Sequence, residues 1–179
     1  AIGCVGFGPG KQRALIHGHS GRVTMPEELS DLDLKALWRQ GDVPTIFKPS
    51  KPLPVLVKLP YAEGNLDWLR NDRRSKPRWN SRYKAWEIPA AWFDSVIRLT
   101  LRRYAEAYVI QLYREQQKCA PACWNAEGFH CECSCMGENH GGGHPGGSWY
   151  EVSETFAVSW GVQRYSCRHL RVKKPGGQS

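Results

Sequence analysis

Hydrophobic positions along this chain change their period several times, and each change marks a boundary. Between residues 25 and 41, Leu29, Leu32, Leu34, Leu37 and Trp38 recur at helical spacing. Pro26, Glu27 and Glu28 suit the first turn of such a helix, and Gly41 closes it. Residues 42–54 hold Pro44, Pro49, Pro52 and Pro54 and read as an extended linker, the sharpest boundary in the chain. The peptide VLVKLPY (55–61) is rich in β-formers and stops at Pro60, which predicts a strand. A short helix over 63–71 carries Leu66, Trp68 and Leu69. Residues 78–89 then read as a hairpin, with Trp79 and Trp86 on either side of a turn at Asn80 and Ser81. Phe93, Ile97, Leu101, Tyr104, Tyr108 and Leu112 continue at three- and four-residue steps, so a long helix is predicted over 90–117. Near the end, residues 148–159 and 163–172 return to β-formers and are joined by Trp160, Gly161 and Val162, a second hairpin.

These elements predict an α+β chain: a small βαββα module over 55–117 followed by a zinc-stabilised β-hairpin module over 118–172. Ahead of them lie a Gly-rich arm (1–25) and the helix with its Pro-rich linker (26–54), and a disordered tail (173–179) follows. The arm contains GFGPGK (6–11), which lacks the Gly-Lys-Ser/Thr ending of a phosphate loop, and His17 and His19 read as a solvated pair in a Gly loop.

Composition adds a partner. The chain has 179 residues, a net charge of +8 and eight Trp, a combination that suits a polyanion whose bases or sugars can stack on rings. No apolar run approaches the ~20 residues that cross a bilayer, and the first residues lack a signal-peptide pattern, so a membrane role is not expected. Seven Cys is an odd number, and five fall between residues 119 and 135, which points to metal and to a reducing, cytoplasmic setting rather than to a disulfide framework.

The metal-binding pattern is Cys119, Cys123, Cys131, Cys133, Cys135, His140 and His144, with His130 beside it. Zinc takes thiolate and imidazole donors in a tetrahedron, and the short spacers at 120–122 and 137–139 can turn the chain back onto one ion. The best set comes from Cys123, Cys131, Cys133, Cys135 and His140, with Cys119 next and His144 least secure. One tetrahedral ion leaves donors over, so either spare residues or a second ion must be present. A set so rich in Cys is the usual mark of a structural site. Neither the deaminase pattern of His-x-Glu with Pro-Cys-x-x-Cys nor His-Glu-x-x-His occurs.

Residues 70–84 contain seven Lys or Arg against one Asp, interleaved with Trp79 and Tyr83. Arg73, Arg74, Lys76, Arg78, Arg82 and Lys84 could neutralise phosphates while Trp79 and Tyr83 stack on bases. The stretches 55–61, Arg78-Trp79-Asn80 and 84–89 lie within a region, 55–104, that resembles the HARP domain of annealing helicases. That resemblance implies DNA binding, at forks or at single-strand to double-strand junctions. No ATPase motif accompanies it, so motor activity is not implied, and the Cys-rich segment lies outside that family's pattern.

The sequence thus points to a zinc-containing nucleic-acid-binding protein, with DNA the expected partner before RNA. Two alternatives stand beside it. One is a metal-dependent DNA nuclease of phage-defence or restriction type, using His130, His140, Glu132, Glu138 and Asn139. The other is an adaptor whose zinc module recruits a protein partner.

Overall fold

The computed structural model describes residues 34, 37–50, 52–114, 116–141, 149–160 and 162–174. The arm at 1–25 with His17 and His19, most of the 26–41 helix, His144 and residues 175–179 of the tail lie outside these residues.

A seven-stranded sheet organises the chain: β1 (Thr45–Lys48), β2 (Val55–Lys58), β3 (Arg78–Asn80), β4 (Ala85–Ile88), β5 (Glu106–Leu112), β6 (Tyr150–Trp160) and β7 (Gln163–Val172). Their order in space is β3-β4-β2-β1-β5-β7-β6, antiparallel throughout except for β1 with β5. Among the helices that accompany it are α1 (Asn65–Arg70), α2 (Phe93–Tyr104), entered through a 3-10 turn (Ala90–Trp92), and the single turn α3 (Pro121–Trp124), and residues 34 and 37–39 are helical too. Among the described residues no helix is long and apolar enough to cross a membrane.

Strand alternation sends successive side chains to opposite faces. On one face Ile46, Val55, Val57, Ile88, Ala107, Val109 and Leu170 form a core with Leu69 of α1 and Phe93, Val96, Ile97 and Leu101 of α2. The α2 set follows the i, i+3, i+4, i+7 stripe that lays a helix flat on a sheet. On the other face Phe47, Leu56, Ala85, Ile110, Val158, Tyr165 and Cys167 pack with Leu34, Leu37 and Trp38, so the described part of the 26–41 helix covers that side. Trp38 Nε1 donates to Tyr83 O (2.9 Å), and Lys58 Nζ donates to Trp38 O, tying this cover to the β3–β4 turn and to β2.

The sequence expectation for β2, α1 and both hairpins agrees with these elements. Two expectations are corrected. Residues 42–54 are not simply a linker, because Thr45, Ile46 and Phe47 are buried in β1, at the middle of the sheet. A central strand covered on both faces shows no polar alternation, and four residues bounded by Pro44 and Pro49 give little else to read. The long helix also stops early. Ala105 takes a left-handed conformation (φ 64°) and its N–H donates to Leu101 O (2.9 Å), which caps α2, and β5 begins at the next residue. Tyr108 and Leu112 stand four apart and so fit a helix, but with Ile110 they also fit the period of a strand, and the sheet decides.

The terminal hairpin does not form a separate layer. β7 pairs with β5 from Glu106↔Arg171 to Leu112↔Tyr165, so the stretches before and after the cysteine segment share one sheet.

Candidate metal centre

Between β5 and β6 the described residues form one helical turn and no strand, yet Phe129, Cys131, Cys133 and His140 are buried. Three kinds of contact dock this segment. Arg114 N–H donates to Glu132 O (2.7 Å), Ser134 N–H to Gln117 O (2.8 Å) and Gly141 N–H to Cys123 O (3.1 Å), which lace the loop to itself. From α2, Asp94 Oδ1 accepts the Phe129 N–H (2.6 Å) and Arg98 Nη2 donates to Glu127 O (2.5 Å). From the sheet, Gln111 Nε2 donates to Cys131 O and Arg168 Nη2 donates to Phe129 O. Phe129 itself enters the core shared by α2 and the sheet and lies tilted against Tyr150, with ring centres 4.9 Å apart.

This docking brings six donors together. The Sγ atoms of Cys119, Cys123, Cys133 and Cys135 lie within 4.8 Å of one another, and so do those of Cys123 and Cys131 with a ring nitrogen of His140. Individual Sγ separations are 3.4 Å for Cys119 to Cys133, 3.7 Å for Cys123 to Cys133, 3.8 Å for Cys123 to Cys131, and 3.1 Å for Cys133 to Cys135. Thiolates about 2.3 Å from a tetrahedral ion stand about 3.8 Å apart, so this set can close on a metal with small movements. All five cysteines are free, so the sulfurs are available as ligands. The cluster can therefore hold a metal ion.

Electrostatics fit a site that must exchange protons for a cation. Burial, with the neighbouring Cys131 thiol next, pushes the Cys123 thiol well above its usual range. Burial also raises Cys133, and Cys119 is pushed up to about 11, first by its hydrogen bond with Cys135. Cys135 is the exception. Burial raises it, but hydrogen bonds from the Cys119 and Cys133 thiols and from the backbone at Asn139 and Gly137 outweigh that and bring it to about 7. Cys135 is the thiol that an arriving cation finds most readily ionised, and loading the remainder releases protons.

Arg168, on β7, is a residue the sequence does not single out. Its side chain is wholly buried (0% exposed) and its Nε has no hydrogen-bond partner among the described residues; burial lowers its pKa, and the groups that oppose that shift are the Cys131 thiol, then Tyr150, Cys135 and Cys167. The run RYSCRHLRV (164–172) reads as a strand with solvated Arg, and alternation places Arg168 on the same face as Arg164, so it does not mark Arg168 as the buried one. Gly137 sits against this side chain. It adopts φ 89°, and a Cβ there would fall 2.5 Å from Arg168 Cδ. Replacement Gly137→Ala combines a left-handed backbone with overpacking, and it is expected to cost about 2–4 kcal/mol in a denaturant melt. A variant as stable as the parent would mean that the turn at 133–140 does not rest on Arg168.

The other sequence candidates divide. His130 is exposed: Lys48 Nζ donates to its Nδ1 (3.0 Å) and its Nε2 faces Glu132 Oε1 (3.2 Å), while Glu132 also meets Arg114 (3.5 Å). Burial and then Lys48 lower the His130 pKa. Glu138 and Asn139 are exposed on the turn, whereas His140 is buried among the thiols, so the five nuclease candidates do not share one environment. In the basic stretch, Arg73 is held by the protein. It donates to Ser95 Oγ (2.7 Å), and its guanidinium lies 4.4 Å from the centre of the Trp92 ring. Arg78 donates to Glu87 (2.6 Å) across β3–β4, and Asn80 Nδ2 donates to the other oxygen of the same carboxylate (2.6 Å). Tyr83 is half-buried, while Arg74, Lys76, Arg82 and Lys84 are exposed, and Trp79 is 51% exposed with its edge against Trp86. No family model, curated protein or solved structure matches the chain, so the site is read from its own chemistry.

Proposed function

We propose that this protein binds nucleic acid, DNA in preference to RNA, and that zinc held by Cys119, Cys123, Cys133 and Cys135 is a structural support. Thiolates in close array are zinc donors before they are donors for magnesium or calcium, and a four-thiolate set closes the coordination sphere. The observation that carries the DNA reading is the β3 end of the sheet, which no other described strand pairs. There, β3, β4 and the loop before them expose Arg74, Lys76, Arg82 and Lys84 beside the half-exposed Trp79. Glu87, the acid on this hairpin, is already engaged by hydrogen bonds from Asn80 and then Arg78, which hold its carboxyl below the usual range. The resemblance of residues 55–104 to the HARP domain favours DNA, and junctions between single and double strands within it.

Fluorescence anisotropy with labelled single-stranded, duplex and junction DNA, at several salt concentrations, tests this reading. Affinity should fall linearly on a double-logarithmic plot against salt, with a slope of about 0.7 per neutralised phosphate on single strands. Removing the four exposed cations together by substitution to Ala should flatten that slope by up to about 3. Trp79→Ala should weaken single-strand binding by about 1–3 kcal/mol if a base stacks on the ring. Affinity indifferent to salt and to all five substitutions would sink the proposal.

A further inference from the structure

Six donors converge where one tetrahedral ion uses four, and they are not equivalent. Cys119, Cys123, Cys133 and Cys135 complete one site; Cys123, Cys131 and His140 form a second group, and Cys123 belongs to both. Two further observations give the second group a ligand's posture. His140 is buried, with Nδ1 3.3 Å from Cys123 Sγ and Nε2 2.8 Å from Gly128 O. A carbonyl only accepts, so Nε2 carries the proton and donates, and the bare Nδ1 lone pair is aimed at the thiols. This is how a ligating imidazole is held by its outer partner.

The second observation is charge. One divalent ion on four thiolates is formally −2, which a single buried Arg168 cannot offset. Two divalent ions on five thiolates and a neutral imidazole are formally −1, and Arg168 brings the interior to zero. A buried ion needs such compensation, because each uncompensated charge costs several kcal/mol.

We propose that a second zinc-type divalent ion binds at Cys123, Cys131 and His140, shares the Cys123 thiolate with the first, and keeps its fourth position open. That position faces a cleft of roughly 320 Å³ lined by Cys123, Cys131, His140, His130, Glu132 and Lys118. Three protein ligands with one place left over is the arrangement of an exchangeable site, unlike the closed four-thiolate set. The ligand it would take is water or an anionic oxygen donor such as a phosphate, with Lys118 and the His130–Glu132 pair at the rim. This inference rests on the reading that the cluster holds zinc, but not on the reading that the hairpin holds DNA.

Native mass spectrometry of the full chain, loaded with zinc and desalted, should show two ions per chain. Cys131→Ser and His140→Ala should each lower that count to one. In cobalt-substituted protein, azide or inorganic phosphate should shift the visible ligand-field bands of the parent and leave those of Cys131→Ser unmoved. One ion in the parent overturns the second site while leaving the structural zinc in place, whereas no ion at all overturns both. Two ions with cobalt bands that neither anion moves would overturn the open position. The parent's stoichiometry decides the point even if a variant fails to fold.

Discussion

Stripping metal from the purified protein with a strong chelator is expected to release the whole 114–141 segment and lower global stability by about 3–5 kcal/mol. Beyond its hydrogen bonds to Asp94, Arg98, Gln111 and Arg168, the segment has little apolar burial to hold it. Its buried side chains among the described residues are Phe129, Cys131, Cys133 and His140, and three of those four are groups that could hold a metal. Ordering each residue costs about 1–2 kcal/mol of backbone entropy, and the loop bonds at Arg114, Ser134 and Gly141 each contribute about 1 kcal/mol. A structural zinc contributes about 10–16 kcal/mol on binding, several times what those three loop bonds supply. Once the donors separate, Phe129 leaves the core it shares with α2 and the sheet, and loss of a buried Phe sets the size of the global effect. Hydrogen exchange should show the amides of Ser134, Gly141 and Phe129 losing protection on chelation and regaining it when zinc returns. Protection unchanged by chelation would show that hydrogen bonds and Phe129 alone organise the segment, and the zinc reading would fall.

Much of the scaffold is legible in the sequence because its signals are local. Pro60 and Pro89 stop strands, and the β-formers at 148–159 and 163–172 flank a short connection, so β2 and both hairpins are readable without tertiary context. The cysteine cluster is readable for a similar reason, since closely spaced thiols need only a turn to converge. What escapes the sequence depends on position in the sheet. β1 is four residues between prolines, and its central placement follows from pairing with β2 on one side and β5 on the other. The end of α2 is hidden because residues 108 and 112 satisfy a helical and a strand period alike, and Ala105 takes a left-handed cap that Gly usually marks. In the basic stretch, charge density suggests a uniform patch. Only folded geometry separates Arg73 and Arg78, which bind protein groups, from the exposed Arg74, Lys76 and Lys84, with Arg82 exposed too but lying over the Tyr83 ring.

Arg168 is the residue for which the two protonation states of the cluster predict opposite outcomes. If the sulfurs are neutral thiols, Arg168 is a buried charge without a carboxylate among the described residues, with one hydrogen bond to Phe129 O and an unpartnered Nε. Replacing such a group with an apolar side chain of similar length is neutral or stabilising. If the sulfurs are thiolates on a metal, Arg168 is the counter-charge of a net anionic cluster, and its removal leaves that charge buried alone, at about 3–5 kcal/mol. Arg168→Met is therefore expected to destabilise the zinc-loaded protein by that amount and to weaken zinc binding about 10–100-fold, the usual effect of losing an outer partner. In chelator, where release of the segment uncovers Arg168, the same substitution should leave stability nearly unchanged. Denaturant melts of parent and variant, with and without zinc, give all four values. The sign of the difference between the two conditions is the result that matters, because loss of packing alone would lower stability equally in both. Equal losses would remove Arg168 from the electrostatics of the site, and with it the charge count that calls for a second ion.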